Sequence, residues 1–203
     1  MARLHFDLAR GLGERAPGGG VAAGFCELPL DWSPAEFRIK LATLPWEREA
    51  AHALRRAVFC AEQRVFEHDD RDAIDEHAEL IVATACLAGE PQQVVGTVRI
   101  HRAAPRHWWG SRLAVAADWR RHGRLGATLI RLAVTTANAR GCDEFLAHVQ
   151  AQNEPLFRRL GWTTLGRETL HGREHCRMRA DLAVYPPHPA PEAGFVLRPG
   201  AGR

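Results

Sequence analysis

The sequence has few of the features that mark disulfide-rich or membrane-spanning proteins. It contains only five cysteines among its 203 residues, none of them in C-x-x-C spacing, which argues against a disulfide framework. No apolar run approaches the ~20 residues that a membrane span requires, and charged residues interrupt the N-terminal stretch where a signal region would be apolar. We therefore expect a cytoplasmic protein without a membrane partner.

The basic and metal-ligating residues also exclude two kinds of partner. Lys40 is the single lysine, the net charge is only +3 at pH 7, and the arginines are spread along the chain. This distribution lacks the dense basic stripe of a nucleic-acid-binding protein. His171, His175 and Cys176 lie close in sequence, but on a predicted hairpin they would not converge on a metal without a further ligand. We expect neither nucleic acid nor a metal.

Composition divides the chain into three segments. Residues 1–34 are rich in glycine and lack periodicity, which predicts a flexible leader, and residues 185–203 predict an extended Pro-rich tail. Residues 35–184 predict one domain with the order β-α-(loop)-β-β-β-α-β-α-β-β. This order indicates an α/β (α+β) fold with a mixed sheet.

A basic turn before a predicted helix carries most of the functional signal. It follows a short apolar strand that ends near Ala116, and leucines three and four positions apart then predict a helix after Gly126. A helix N-terminus presents N–H groups and the positive end of the helix dipole, and glycine lets an anion approach the main chain. The turn therefore predicts a phosphate site, although a solvated arginine-rich turn has the same pattern. Neither a Walker loop nor a dinucleotide fingerprint matches it.

This turn and a second motif together resemble the GNAT superfamily of N-acetyltransferases. In that family a strand ends in a turn of the form Arg/Gln-x-x-Gly-x-Gly/Ala, and residues 121–126 follow this form with Arg124 where the first glycine usually lies. Members continue with a strand, an asparagine, a short helix and Leu-Gly-Phe. Here Asn153 precedes a short helix and Leu160-Gly161-Trp162. The resemblance covers about residues 36–184.

The resemblance implies a GNAT-like, mostly antiparallel sheet of about seven strands flanked by helices and splayed between the strands at 111–117 and 143–149. It implies acetyl-CoA, or another acyl-CoA, as co-substrate and no metal. The diphosphate would lie at the basic turn, and the pantetheine amides would pair with a strand edge as an added strand does. The residues implied to contact acyl-CoA are Leu113, Ala114, Val115, Arg121, His122, Gly123, Arg124, Leu125, Gly126, Ala127, Asn153 and Phe157.

The implied reaction is acyl transfer to an amine, for which a base must take the amine proton. His148 stands where some relatives carry a glutamate base, and Glu79, at a strand start, is a second candidate. Phe157 replaces the tyrosine that protonates the thiolate in many relatives, which leaves that step to water or to the ammonium itself. We expect direct attack in a ternary complex, because no cysteine has the setting of a nucleophile.

The resemblance implies that the segment after the first helix faces the acceptor. Glu62 and Trp108 are candidate substrate-binding residues. Trp108 and its neighbour Trp109 either wall the acceptor pocket or pack in the core or an interface. The acidic loop at 68–77 either attracts a cationic amine or is a solvated loop. The acceptor is a small-molecule or peptide amine, and a polyamine, an amino acid and a peptide terminus all remain open. A homodimer is also left open.

Residues 54–63 and 147–150 also resemble a bacterial subgroup of N-acetyltransferases from nitrilase-containing, nitrogen-starvation gene clusters. The Arg-x-x-Val-Phe pattern that begins at Arg55, with acidic residues after it, is similar to the acyl-homoserine lactone synthases as well. A third alternative is a catalytically silent acyl-CoA-binding regulatory module, which Phe157 and Arg124 suggest.

Overall fold

The computed structural model describes residues 34, 36–122 and 124–198, so the predicted leader lies outside it except for Pro34. This described part contains eight strands and three α-helices. The strands are β1 (Glu36–Leu41), β2 (Glu79–Leu87), β3 (Glu90–Ala104), β4 (His107–Val115), β5 (Glu144–Gln150), β6 (Trp162–Leu170), β7 (Arg173–Ala180) and β8 (Phe195–Leu197). The helices are α1 (Pro45–Arg56), α2 (Leu125–Ala139) and α3 (Glu154–Arg159). None of these helices is long and apolar enough to span a membrane.

The eight strands form one sheet in the order β6-β7-β5-β4-β3-β2-β1-β8. All neighbouring strands run antiparallel except β4 and β5, which run parallel. Helices α1 and α2 pack on the central strands, and α3 packs on β6. The structure therefore confirms the predicted mixed, mostly antiparallel sheet flanked by helices, with one more strand than the sequence predicts.

The additional strand comes from the segment that the sequence predicts as an extended tail. β8 pairs with residues 37–39 of β1, and the N–H of Leu41 donates to the carbonyl of Pro191 at 2.8 Å. Gly194 has φ +60°, and a Cβ there would lie 1.9 Å from the carbonyl oxygen of Ile39. Only glycine allows so close an approach to β1.

Helix α1 begins as predicted and changes its winding near its end. The Glu47 carboxylate caps its start by accepting the N–H groups of Thr43 and Leu44 at 2.9 and 3.0 Å. The sequence predicts one helix through Phe59, whereas the structure is α-helical to Arg56 and continues as a π-helical turn over Ala57–Glu62. Such turns often lie at functional sites.

Strands β4 and β5 pair only near their starts, where residues 107–110 lie beside residues 144–147. Beyond Gly110 no further pairing joins them. A bulge in β4 accompanies the separation: the register with β3 shifts between Thr97 and Arg99, and Arg112 has φ +54°. Bulges bend the strand that carries them. The splay predicted between the segments 111–117 and 143–149 is therefore confirmed.

Candidate functional site

A cavity of about 630 Å³ opens where β4 and β5 separate. Its size suits a ligand of coenzyme dimensions. Residues from both faces of the sheet line it. The helix face contributes Ile130, Ala133, Phe145, Phe157 and Trp162. The opposite face, which we call the loop face, contributes Phe59, Gln63, Trp109, His148, His171 and His175. The gap between the two strands thus connects an apolar compartment with a more polar one.

The free edge of β4 forms one side of this gap. Leu113 lines the cavity, whereas Ala114 is buried in the core and the carbonyl of Val115 accepts the Arg120 Nε–H at 3.0 Å. All three lie beyond Gly110, the last residue of β4 that pairs with β5. The edge of β4 is therefore open to an extended ligand whose amides hydrogen-bond as an added strand.

The N-terminus of α2 follows β4 through a short turn and has the features of an anion site. The predicted turn residues within the described part are Arg121, His122, Arg124, Leu125, Gly126 and Ala127. No side chain caps the first N–H groups of α2, and a Cβ added at Gly126 would meet no atom within 4 Å. Uncapped N–H groups, the helix dipole and open space fit a diphosphate. The predicted contact of Gly123 lies outside the described residues.

Two predicted coenzyme contacts, one in α3 and one at the residue before it, lie on the cavity. Asn153 and Phe157 line the cavity, and the Phe157 ring packs edge-on against Trp162 at 5.1 Å. The Glu154 carboxylate anchors the helix by accepting hydrogen bonds from Thr164 Oγ1 at 2.7 Å and from Arg167 Nη2 at 2.6 Å. The hydrogen bond from Thr164, with further ones from Arg158 and Cys176, lowers the pKa of Glu154 to about 2.

His148 lies on β5 immediately after the last residue that pairs with β4. Its Nε2 is 2.8 Å from Oε1 of Glu168, and its ring centroid is 4.7 Å from that of Trp109. Burial lowers the pKa of His148 below its ordinary value of 6.5, although the Glu168 carboxylate acts to raise it. Burial therefore favours the uncharged form of the imidazole. When Nε2–H donates to Glu168, Nδ1 carries the lone pair that can accept a proton.

The second candidate base and both candidate substrate-binding residues lie outside the described lining of the cavity, as do Ala114, Val115 and the described residues of the turn before α2. Glu79 pairs with Arg140 at the start of β2. Glu62 pairs with Arg120 at 2.6 Å, and the hydrogen bond from Arg120 lowers the pKa of Glu62. Trp108 is 6% exposed. It lies on the face of the sheet opposite to its neighbour Trp109, because alternate residues of a strand point to opposite faces. The base and substrate roles predicted for these residues therefore have no support in their placement.

The acidic loop forms a buried ion cluster rather than a free acidic surface. We call it the arginine–aspartate cluster, and its members are Arg55, Arg99, Arg112, Asp70, Asp72 and Asp75. Arg55 Nε is 2.8 Å from Asp70 Oδ2, and Arg99 Nη1 is 2.6 Å from Asp72 Oδ1. Removing one partner of such a cluster leaves an uncompensated buried charge. These carboxylates are therefore engaged in holding the loop and are not free to attract a cationic amine.

Of the two neighbouring tryptophans that the sequence offers for the acceptor pocket, Trp109 lines the cavity. The sequence analysis missed two residues that line or support the cavity. Ser111 lines the cavity, and its Oγ accepts the Arg99 Nε–H at 2.9 Å. Glu168 reaches His148 across β7, and no local pattern in the sequence indicates such a contact.

The metal-ligating side chains do not converge. Within the ranges that the structure describes, no group of three or more histidine, cysteine and carboxylate side chains could hold a metal ion. His175 Nδ1 lies 2.9 Å from the carbonyl of Arg173, whereas Cys176 Sγ donates to Glu154. The two neighbours on β7 thus point to different partners.

Comparison with known proteins agrees with this architecture. Residues 40–162 match the profile of the Acetyltransferase (GNAT) family, and no curated protein sequence gives a significant match. The structure is similar to a protein from Lactobacillus plantarum assigned to the N-acetyltransferases, with 24% identity, a TM-score of 0.63 and coverage of 71% of this chain and 97% of that one.

Two further solved structures share the fold. Escherichia coli ElaA has 19% identity and a TM-score of 0.59, covering 72% of this chain and 99% of its own. An acyl-CoA N-acyltransferase from Pseudomonas aeruginosa has 20% identity and a TM-score of 0.58, covering 71% of this chain and 99% of its own. These likenesses show the fold alone. Because the family profile matches more than half of the sequence, the chain belongs to the Acetyltransferase (GNAT) family.

Proposed function

We propose that the protein transfers an acyl group from acyl-CoA to an amine by direct attack within a ternary complex. The observation that carries this proposal is the position of His148, which lines the cavity directly after the last residue of β5 that pairs with β4. Family membership implies the use of acyl-CoA. The narrower nitrogen-starvation subgroup, a cytoplasmic location and a homodimer remain predictions from the sequence.

The geometry supports one orientation of acyl-CoA. Its diphosphate would lie at the uncapped N-terminus of α2, where Gly126 leaves open space. The pantetheine arm would extend along the free edge of β4, and the thioester would enter the gap beside His148. The apolar residues of the helix face, among them Ile130 and Phe145, would then surround the acyl group.

His148 is suited to take the proton from the amine. The amine nitrogen attacks the thioester carbon, a C–N bond forms, and the C–S bond breaks. Nδ1 of His148 accepts the proton that the amine loses, while Glu168 holds Nε2–H and stabilises the imidazolium. A positioned general base of this kind contributes about 10²- to 10⁴-fold to a rate.

Ser111 is our candidate for stabilising the departing thiolate. It carries the only hydroxyl group among the described residues of the lining. Because its Oγ already accepts from Arg99, its own proton is available to the cavity. Phe157 cannot donate a proton, and the Tyr185 hydroxyl donates to the carbonyl of Leu160 outside the lining. Ser111 therefore replaces the tyrosine of relatives in this proposal.

The proposal is tested by measuring free CoA with a thiol reagent after mixing the protein, acetyl-CoA and a panel of amines. We expect release with at least one amine and a fall of about a hundredfold in kcat for His148→Ala, with little change in acetyl-CoA binding. His107→Ala is the matched control, because His107 also pairs with a glutamate but lies outside the lining. Tight CoA binding without release for any amine would instead support the regulatory module.

A further inference from the structure

The charges that line the cavity discriminate between acceptor classes. Arg71, Arg99 and Arg112 line it together with one carboxylate, that of Asp72. Both oxygens of this carboxylate are engaged: Oδ1 accepts from Arg99 Nη1 at 2.6 Å, and Oδ2 accepts from Arg112 Nη2 at 3.1 Å. Within the described lining, no carboxylate is therefore free to pair with an ammonium group.

Arg71 differs from the other two arginines of the lining. Arg99 and Arg112 each contact aspartates of the arginine–aspartate cluster. The guanidinium of Arg71 makes no ion pair within the part of the chain that the structure describes, while its backbone N–H donates to Asp69 Oδ1 at 3.1 Å and so fixes the loop. An arginine guanidinium binds a carboxylate through two parallel hydrogen bonds. Arg71 thus offers an anion-binding group on the cavity wall.

The loop face also carries apolar and aromatic side chains beside these arginines. Phe66 packs beneath the guanidinium of Arg112 at 4.6 Å and against the His171 ring at 4.8 Å, and Trp109 packs against His148. A polyamine would place several ammonium groups beside arginines without a free carboxylate, and like charges in contact are disfavoured. An apolar side chain and a carboxylate both have partners on this surface.

We propose that the acceptor is an α-amino acid with an apolar side chain, whose carboxylate pairs with Arg71 and whose amine faces Nδ1 of His148. The inference rests on the proposed function and names the acceptor of the same site. In the reaction, the amine nitrogen forms the new amide bond as the thioester C–S bond breaks. The amine proton passes to His148 and then, through water, to the departing thiolate, so the products are an N-acyl amino acid and free CoA.

Three amines that share a phenethyl framework test this inference: L-phenylalanine, L-phenylalaninamide and phenethylamine. With acetyl-CoA as donor, the readout is the ratio of kcat/KM for phenylalanine to that for each of the other two amines. Because the three amines differ in intrinsic basicity, each ratio is compared between the wild-type protein and its variants. We expect Arg71→Gln to lower both ratios about tenfold or more, the effect of losing a charged hydrogen-bonded pair.

Arg102→Gln is the matched control, because Arg102 is exposed, makes no ion pair among the described residues and lies outside the lining. It should leave both ratios unchanged. Faster turnover of spermidine or phenethylamine than of phenylalanine, or equal ratios in wild type and Arg71→Gln, would overturn the amino-acid acceptor and leave the proposed transferase intact. Failure of every amine to release CoA would overturn both.

Discussion

The ring of Phe145 packs against the α-carbon of Gly110, where β4 and β5 pair for the last time. A Cβ added at Gly110 would lie 3.0 Å from Cε1 and 3.2 Å from Cζ of that ring. Gly110 pairs with Ala147, and beyond this point the strands separate. Glycine therefore allows the ring to close one end of the gap while the rest remains open.

Gly110→Val should displace Phe145 toward the cavity. We expect a loss of about 1–3 kcal/mol in the free energy of unfolding, as for other overpacked positions, together with weaker acyl-CoA binding. Thermal denaturation and calorimetry measure the two effects. Gly166→Val is the control, since a Cβ at Gly166 on β6 meets no atom within 4 Å. Equal stability of the Gly110 variant and wild type would contradict the packing argument.

Gly126→Ala should weaken the binding of CoA without lowering the stability of the protein. Alanine favours a helix over glycine by about 1 kcal/mol, so the variant should be at least as stable as wild type. Its methyl group would occupy the space that we assign to the diphosphate, and we expect CoA affinity to fall about tenfold. Pantetheine, which lacks the diphosphate, is the control ligand and should bind both proteins equally. Unchanged CoA affinity would exclude the diphosphate from this turn.

The pH profile tests the pairing of His148 with Glu168. Because burial lowers the pKa of His148, kcat at saturating amine should rise through a pKa below 6.5 to a plateau. The Glu168 carboxylate acts to raise this pKa, so Glu168→Gln should move the rising limb to lower pH and reduce the plateau about tenfold. Glu174→Gln, on the neighbouring strand, should change neither. A shift of the limb to higher pH would contradict the assigned role of Glu168.

The arginine–aspartate cluster should dominate acid stability. Burial acts to raise the pKa of Asp75, but hydrogen bonds from Arg55 and from the backbone of Asp72 outweigh it and hold the pKa well below 3.8. The stability from this group is therefore present above pH 3.8 and is lost as the pH falls below that value. Asp75→Asn should cost about 3–5 kcal/mol at neutral pH and flatten the loss of stability in acid.

Urea denaturation between pH 3 and pH 7 measures both effects of that variant. Asp181→Asn, at an exposed carboxylate outside the cluster, serves as the comparison. A change below about 1 kcal/mol for Asp75→Asn, the range of a surface ion pair, would show that the cluster does not stabilise the fold.

The sequence predicts those parts of the candidate site that are formed by one continuous segment. The turn before α2 and the segment from Asn153 to Trp162 are such parts, because the backbone of neighbouring residues forms each one. Trp108 and Trp109 lie on opposite faces of β4, because side chains alternate along a strand. The local pattern does not indicate which of the two reaches the cavity.

Contacts between distant segments could not be predicted. Glu168 meets His148 only because β7 lies between β5 and β6 in the sheet, and this order is not visible in a single sequence. The aspartates of the acidic loop have arginine partners on α1, β3 and β4, which are distant in the sequence. The loop sequence by itself therefore has the pattern of a solvated loop. β8 is only three residues long and lies in a proline-rich segment, which opposes strand formation in the sequence pattern.

The measurement that tests the central claim most directly is the ratio of free CoA to N-acylated amine formed in the same reaction. Thiol titration gives the first quantity and mass spectrometry gives the second. We predict equal amounts of both from the wild-type protein, and formation of both about a hundredfold more slowly by His148→Ala. Release of CoA without an N-acylated product, or no release from acetyl-CoA with any amine, would contradict the proposed acyl transfer.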